Sequence, residues 1–255
     1  MDYEHQRLSI KAPQEFRPSG KETALPVRID QHGFPFIDAT LALPGLKPIP
    51  GTFLIDGGAN TWADLYKPFC DAHGIPAPGM KLLNEPGTST GGTTQSRDGR
   101  ADAITVGPWI IHHPAITLAE DTEGLMAAQD YAGLIGTEFL ERFTVVFDNP
   151  GKRILLTPNR HYADAVDYDA SGLRIHADPP DFHIFAVGRI LPGSPAAEAG
   201  MEPGDIIESF DGRSAQEMTL TELRALLRRP GTGCSLGIRR GSIHLQVALR
   251  LRSLL

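Results

Sequence analysis

Phe53-Leu54-Ile55-Asp56-Gly57-Gly58-Ala59 decides how this 255-residue chain is read. A short apolar run is strand sequence. It delivers one carboxylate into a turn whose glycines let the backbone bend sharply and approach a neighbour. Upstream, 26–29 and 36–41 alternate like half-buried strands around the turn Gln31-His32-Gly33. Downstream, apolar residues at 62, 65, 66 and 69 have helical spacing, so a helix is expected over 62–73, ended by Gly74. Residues 84–100 are polar and Gly-rich, either a hairpin or a plain loop. Strand character returns at 104–106 and 109–118. Gly133-Leu134-Ile135-Gly136 then leads into a helix candidate at 137–142. Asn149-Pro150-Gly151 turns a hairpin between 143–148 and 152–157.

Asp-Gly-Gly by itself marks a turn. Order and spacing add to it: a Gly-rich stretch at 87–99, then Leu134-Ile135-Gly136, with Gly136 standing 80 residues after Asp56. In that order the segment from Leu25 to Asn159 resembles a retropepsin-like aspartic protease domain. Members carry a strand ending in Asp-Thr/Ser-Gly-Ala, a Gly-rich flap, and an apolar-apolar-Gly segment feeding a helix. The resemblance implies that Asp56 is catalytic, that Gly57, Gly58 and Ala59 form the active-site loop, and that Gly87, Gly91 and Gly92 belong to the flap. It also implies a homodimer, because the chain offers one such loop. Asp98-Gly99 lacks a preceding apolar strand, and Asp211-Gly212 lacks the following Gly-Ala. Two carboxylates about 3 Å apart share one proton. The ionised one takes a proton from the attacking water, and the other supports the tetrahedral intermediate.

The sequence departs from the family at Gly57, where the family's Thr or Ser hydroxyl bonds across the dimer. Losing that bond costs about 0.5–1.5 kcal/mol per loop. Three readings stand: an active but loosened enzyme, a peptide-binding scaffold that has lost catalysis, or an engineered substitution. Asn60 and Thr61 are the polar neighbours available to substitute for the hydroxyl.

After a polar stretch read as a linker, 161–170, strand sequence recurs at 184–191, 205–210, 233–239 and 243–251. A helix candidate at 219–229 puts Leu220, Leu223, Leu226 and Leu227 on one face. Ile190-Leu191-Pro192-Gly193-Ser194-Pro195-Ala196-Ala197, then Pro203-Gly204-Asp205-Ile206-Ile207 and Asp211-Gly212-Arg213, resemble a bacterial-type PDZ domain. That resemblance implies β-augmentation, an extended peptide adding a strand to a sheet edge beside a helix. Gly172, Leu173, Arg174 and Ile175, with Ser171 before them, are the best position for the loop that captures a terminal carboxylate. The same residues also suit an ordinary junction into a strand.

The expected architecture is therefore mainly β: an N-terminal arm (1–24), a retropepsin-like acid-protease β-barrel (25–160), the linker, and a small α+β PDZ domain (171–255). Its expected activity is peptide-bond hydrolysis, with a polypeptide substrate or peptide ligand as partner and no cofactor. Twenty-seven glycines and 21 prolines favour many short strands. The net charge of −7, with no basic run, speaks against nucleic acid. No apolar stretch is long enough to span a membrane. The first twenty residues lack the apolar core of a secretion signal. The two-domain resemblance leans towards an extracytoplasmic setting with the signal already removed.

Other signals point elsewhere. Gly87-Thr88-Ser89-Thr90-Gly91 fits the G-x-S-x-G pattern of serine hydrolases but lacks the strand before and the helix after. His112 and His113 are adjacent strand residues facing opposite ways, so they form no chelate, and no metal site is expected. Glu120-Asp121-Thr122-Glu123 lacks calcium-loop spacing. Cys70 and Cys234 read as small buried hydrophobes.

Overall fold

Alternating apolar residues build strands in both halves of the chain, and each half closes a core of its own. The computed structural model describes residues 1–84, 87–89, 92–180 and 182–255. It divides into two units, Met1–Val166 and Asp167–Leu255. The expected linker is shared between them, 161–166 with the first unit and 167–170 with the second. Both units are mainly β. Among the described residues, no helix is long and apolar enough to cross a membrane.

In the first unit the strands are β1 (Thr23–Pro26), β2 (Arg28–Ile29), β3 (Pro35–Ala42), β4 (Ile49–Ile55) and β5 (Ala63–Leu65). Helix α1 (Lys67–His73) follows, then β6 (Leu83–Asn84), β7 (Gly87–Ser89), β8 (Gly92–Thr94), β9 (Ser96–Arg100), β10 (Ala103–Val106), β11 (Trp109–His112) and β12 (Ala115–Ala119). The unit ends with β13 (Gly133–Ile135), helix α2 (Thr137–Leu140), β14 (Phe143–Asp148) and β15 (Arg153–Pro158). The large sheet runs β11-β10-β3-β4-β13-β5-β12-β9-β6, with β2 on β3. A smaller sheet runs β1-β15-β14, and β7 pairs with β8 as a hairpin. Consecutive strands β4 and β5 are not neighbours. β13 lies between them, parallel to β4 and antiparallel to β5.

Two apolar clusters flank that arrangement. The main core gathers Leu41, Phe53, Ile104, Ile116, Ile135 and Phe139. A smaller cluster of Phe36, Leu54, Tyr66 and Leu134 packs apart from it. Strand register puts Phe36, Leu54, Leu134, Asp64, Thr117 and Asp98 side by side in one row across the sheet. Partners opposite one another share a sheet face, so this face changes from apolar to acidic within six strands.

The helix expected over 62–73 is a strand followed by a shorter helix. Ala63–Leu65 is paired on both sides, by β12 and β13, and this tertiary pairing overrides the helical spacing of Trp62 and Leu65. The helix starts at Lys67 with Pro68 in its first turn, where a missing N–H costs nothing, and Gly74 ends it in a left-handed conformation. The single strand expected at 109–118 breaks at His113, whose φ is 54°. The N-terminal arm is tied down at both ends. The Met1 amine donates to the Val145 carbonyl at 2.6 Å, Val145 N–H donates back to Met1, and β1 pairs with β15. Residues 161–165 lie on the unit through buried Arg142, whose guanidinium donates to the carbonyls of His161, Asp164 and Ala165. The Tyr162 ring packs 5.4 Å from both Trp109 and Phe143.

The second unit holds β16 (Leu173–Asp178), β17 (Ile184–Ile190), α3 (Pro195–Glu198), β18 (Ile206–Phe210), β19 (Arg213–Ser214), α4 (Leu220–Leu227), β20 (Gly233–Arg240) and β21 (Ile243–Arg250). Its sheet order is β16-β17-β18-β20-β21, so β16 is an edge strand among the described residues. Thr219 and Glu222 cap α4 reciprocally, fixing its start. Leu223 and Leu227 turn its apolar face into a core with Phe185, Val187, Leu236 and Ile238.

Candidate functional site

Asp56 stands at the exit of β4, half-buried, where the chain leaves the sheet to reach β5. Its N–H donates to Ile135 O at 3.0 Å, which holds the residue to β13. Its Oδ1 accepts the Gly58 N–H at 2.8 Å. Its Oδ2 has no hydrogen-bond partner among the described residues. Gly57, Gly58 and Asn60 are exposed at the rim, and Ala59 is partly buried.

Residues 136–138 hold the turn from behind. Thr137 gives both its N–H (2.8 Å) and its hydroxyl (3.0 Å) to Ala59 O. Glu138 N–H donates to Thr61 O at 3.1 Å, and Gly136 N–H to Trp62 O at 3.3 Å. The two glycines that bracket Leu134-Ile135 are dictated by this contact. A Cβ on Gly136 would lie 2.4 Å from Thr61 O and 2.5 Å from Ala59 O. One on Gly133 would lie 1.9 Å from Asp64 O. Gly57 is different in kind, because a Cβ there would meet only the Met1 methyl, at 3.9 Å. Packing does not require a glycine at 57.

Sequence reasoning missed a second carboxylate on the same face. Asp64 lies on β5 beside Leu134 and Thr117, and its Oδ1 is buried without a partner. Burial pushes its carboxyl up to about 6, with the charges of Asp98 and Asp56 acting the same way against hydrogen bonds from Thr61 and Thr117. Asp98, buried on β9, accepts the Thr117 hydroxyl at 2.9 Å. The Tyr66 hydroxyl is also buried and unpartnered, and burial with the Asp64 and Asp56 charges raises its pKa. The signal available in the sequence was an acid in the middle of an apolar run, Trp62-Ala63-Asp64-Leu65-Tyr66. Thr61, considered as a stand-in for the missing hydroxyl of residue 57, points its hydrogen bond at Asp64 instead.

Of the expected flap, Gly87 and Gly92 lie in β7 and β8, and Ser89 pairs with Gly92. Gly91 lies outside the described residues. β6 and β9, which precede and follow this pair in the chain, set Leu83 opposite Asp98. Among the described residues, no group of three His, Cys, Asp or Glu side chains is placed to hold a metal ion.

In the second unit Gly172, Leu173, Arg174 and Ile175 form the entry to β16, with Leu173 and Ile175 buried. Gly172 has φ +81°, and a Cβ there would fall 2.1 Å from the Ser194 Cβ, so no other residue fits without movement. The edge of β16 lies beside α4, and Arg224 of that helix donates to Ile175 O at 2.7 Å.

Residues 187–240 match the family model of the PDZ domain. The second unit carries that domain. A curated relative, the periplasmic pH-dependent serine endoprotease DegQ of Escherichia coli (strain K12), is 37% identical over 65 residues. That match takes in 26% of this chain and spans only 14% of the length of DegQ. Among solved structures, a retropepsin-like aspartic protease from Rickettsia conorii is similar over 53% of this chain and 98% of its own, at 17% identity and TM-score 0.39. A PDZ domain protein from Parabacteroides distasonis is similar over 31% of this chain and 19% of its own, at 25% identity and TM-score 0.27.

Proposed function

We propose that the first unit is an aspartic endopeptidase, active as a homodimer in which Asp56 meets Asp56 of a second copy, and that the PDZ domain binds extended polypeptide. The observation that carries this reading is the state of Asp56. Its carboxylate is fixed through one oxygen by Gly58 and unpartnered through the other, at the rim of a turn anchored by residues 136–138. The threading of β13 between β4 and β5 supports it, because it places Leu134-Ile135-Gly136 directly behind the acidic turn.

In that dimer one carboxylate is ionised and the other protonated. The ionised one removes a proton from a water as the water oxygen attacks the scissile carbonyl carbon. The protonated one donates to the carbonyl oxygen, giving a neutral tetrahedral diol. Collapse returns that proton and passes the other to the leaving amine as the C–N bond breaks. A two-fold axis makes the two carboxylates equivalent until one is protonated.

The test is cleavage of an unfolded polypeptide such as reduced casein across pH 3–8. Wild type is expected to cleave, with specific activity rising with protein concentration as the dimer forms, and Asp56→Asn is expected to abolish cleavage. Cleavage that survives Asp56→Asn overturns the reading. The alternative, a scaffold that binds peptide without cutting it, is favoured by the missing hydroxyl at Gly57. Gly57→Thr discriminates, since the position has room for a side chain. Cleavage gained by Gly57→Thr identifies a loosened protease, and none before or after leaves the scaffold.

A further inference from the structure

Asp56 leaves the sheet on the same side as Leu54. Side chains alternate along a strand. On β4, Ile55 packs into the main core, while Leu54 joins the small cluster apart from it. Asp56 continues the strand through its bond to Ile135 O, so its carboxylate returns to the Leu54 side. The row on that side runs from Leu54 to Leu134 on β13 and on to Asp64 on β5. Adjacent strands lie about 4.8 Å apart, which sets Asp64 about 10 Å to one side of Leu54. The charges agree with this placement, since the Asp56 carboxylate acts on both Asp64 and Tyr66.

Two polar groups on this face are buried without partners. Asp64 takes hydrogen bonds from Thr61 and Thr117, yet its Oδ1 has none. The Tyr66 side chain is 0% exposed, clusters with Leu54 and Leu134, and leaves its hydroxyl unpartnered near the Asp64 and Asp56 charges. Asp98, two strands beyond Asp64, adds a further negative charge.

An ionised carboxylate with an unmet oxygen is costly inside a protein, and a like charge nearby adds to the cost. A cation relieves both. The Tyr66 hydroxyl oxygen can accept another of its N–H bonds. Leu54, Leu134 and the Tyr66 ring supply an apolar wall along which the stem of a Lys or Arg can lie. A neutral or acidic side chain in the same place leaves the unmet oxygen as it is.

We propose that the face beside Asp56 selects a Lys or Arg side chain of an extended polypeptide, with Asp64 as its ion partner. Asp64 acts on specificity and takes no part in moving the proton. The placement rests on the protease reading, in which Asp56 is the reacting carboxylate. An extended chain rises about 3.4 Å per residue, so the basic residue falls within about four positions of the cut bond.

Binding and cutting are measured separately. A phage library of random ten-residue inserts between flexible flanks is panned on the full Asp56→Asn chain, and in parallel on Asp56→Asn/Asp64→Asn. Ligands of the PDZ domain are common to both pools and cancel. The first pool is expected to be enriched in Lys and Arg beside apolar residues, and the second is not. In the strongest insert, made as a peptide, exchanging the basic residue for uncharged norleucine should weaken binding about tenfold where Asp64 is present and under about twofold in the Asp64→Asn chain. Asp64→Ala is run beside Asp64→Asn, with circular dichroism melts, to guard against a folding defect. In digests of reduced casein, wild type is expected to show Lys or Arg at one fixed position near its cut sites, and Asp64→Asn to cut without that bias. Basic enrichment with no cleavage keeps the cation seat and overturns the protease reading. Cleavage with no basic bias does the reverse. No basic enrichment on the Asp56→Asn chain, or the same norleucine penalty with and without Asp64, overturns the proposal.

Discussion

Asp64 is the residue whose chemistry is most at odds with its surroundings. Its value of about 6 in the folded chain lies above the ordinary 3.8, so a charge on Asp64 opposes folding. The cost is absent below about pH 4 and complete above about pH 6. At 1.36 kcal/mol per unit it reaches about 3 kcal/mol. Urea unfolding of Asp64→Asn followed through the first unit's tryptophans should show a variant more stable than wild type at pH 7.5, with the difference shrinking towards pH 4. An equal difference at both pH values would mean that the charge is not the cause. Asp56 was legible from its own neighbours, because an apolar strand running into Asp-Gly-Gly states its position. Asp64 was not. What makes it unusual is the row Leu134–Asp64–Thr117–Asp98, drawn from four strands distant in sequence.

Elements were legible where their signals are local. The hairpin β14–β15 follows from Asn149-Pro150-Gly151, and α4 from the Thr219/Glu222 cap and its leucine stripe. The stretch 62–73 was misread because three strand residues surrounded by sheet on both sides carry no alternation long enough to see. The contact between α2 and the acidic turn was legible only in part. The sequence showed Gly-Leu-Ile-Gly, while the reason for its glycines is the carbonyls of residues 59, 61 and 64 on the other side. Replacing Gly133 by Ala should therefore cost about 3 kcal/mol or more, as overpacking against backbone with no room to yield. Gly57→Ala should change stability by under about 1 kcal/mol. Paired thermal melts of the two variants check the contrast.

At the scale of the molecule, each unit has its own core, and the boundary at Val166 and Asp167 assigns 161–166 to the first. Those residues accept three hydrogen bonds from buried Arg142 and bring Tyr162 against Trp109 and Phe143. A fragment ending at residue 160 would leave a buried guanidinium without these partners, a loss of about 2–4 kcal/mol. Fragments 1–166 and 167–255 should each unfold cooperatively, and 1–160 should melt lower than 1–166. Coincident melts of the two longer and shorter fragments would show that 161–166 adds nothing. The composition fitted a mainly β chain, and for the break between units the sequence offered a polar stretch read as a linker at 161–170. Its position depends on Arg142, a single side chain reaching forward twenty residues, which no pattern of hydropathy announces.

The seam between the acidic turn and residues 136–138 has a consequence for finding other chains of this design. The turn's shape is set from two places eighty positions apart, so neither stretch can drift without the other. Asp-Gly-Gly scanned alone will return mostly ordinary bends. A paired query, an acid closing one apolar run and a glycine closing another that lies alongside it, should recover kin even where the residue after the acid has changed.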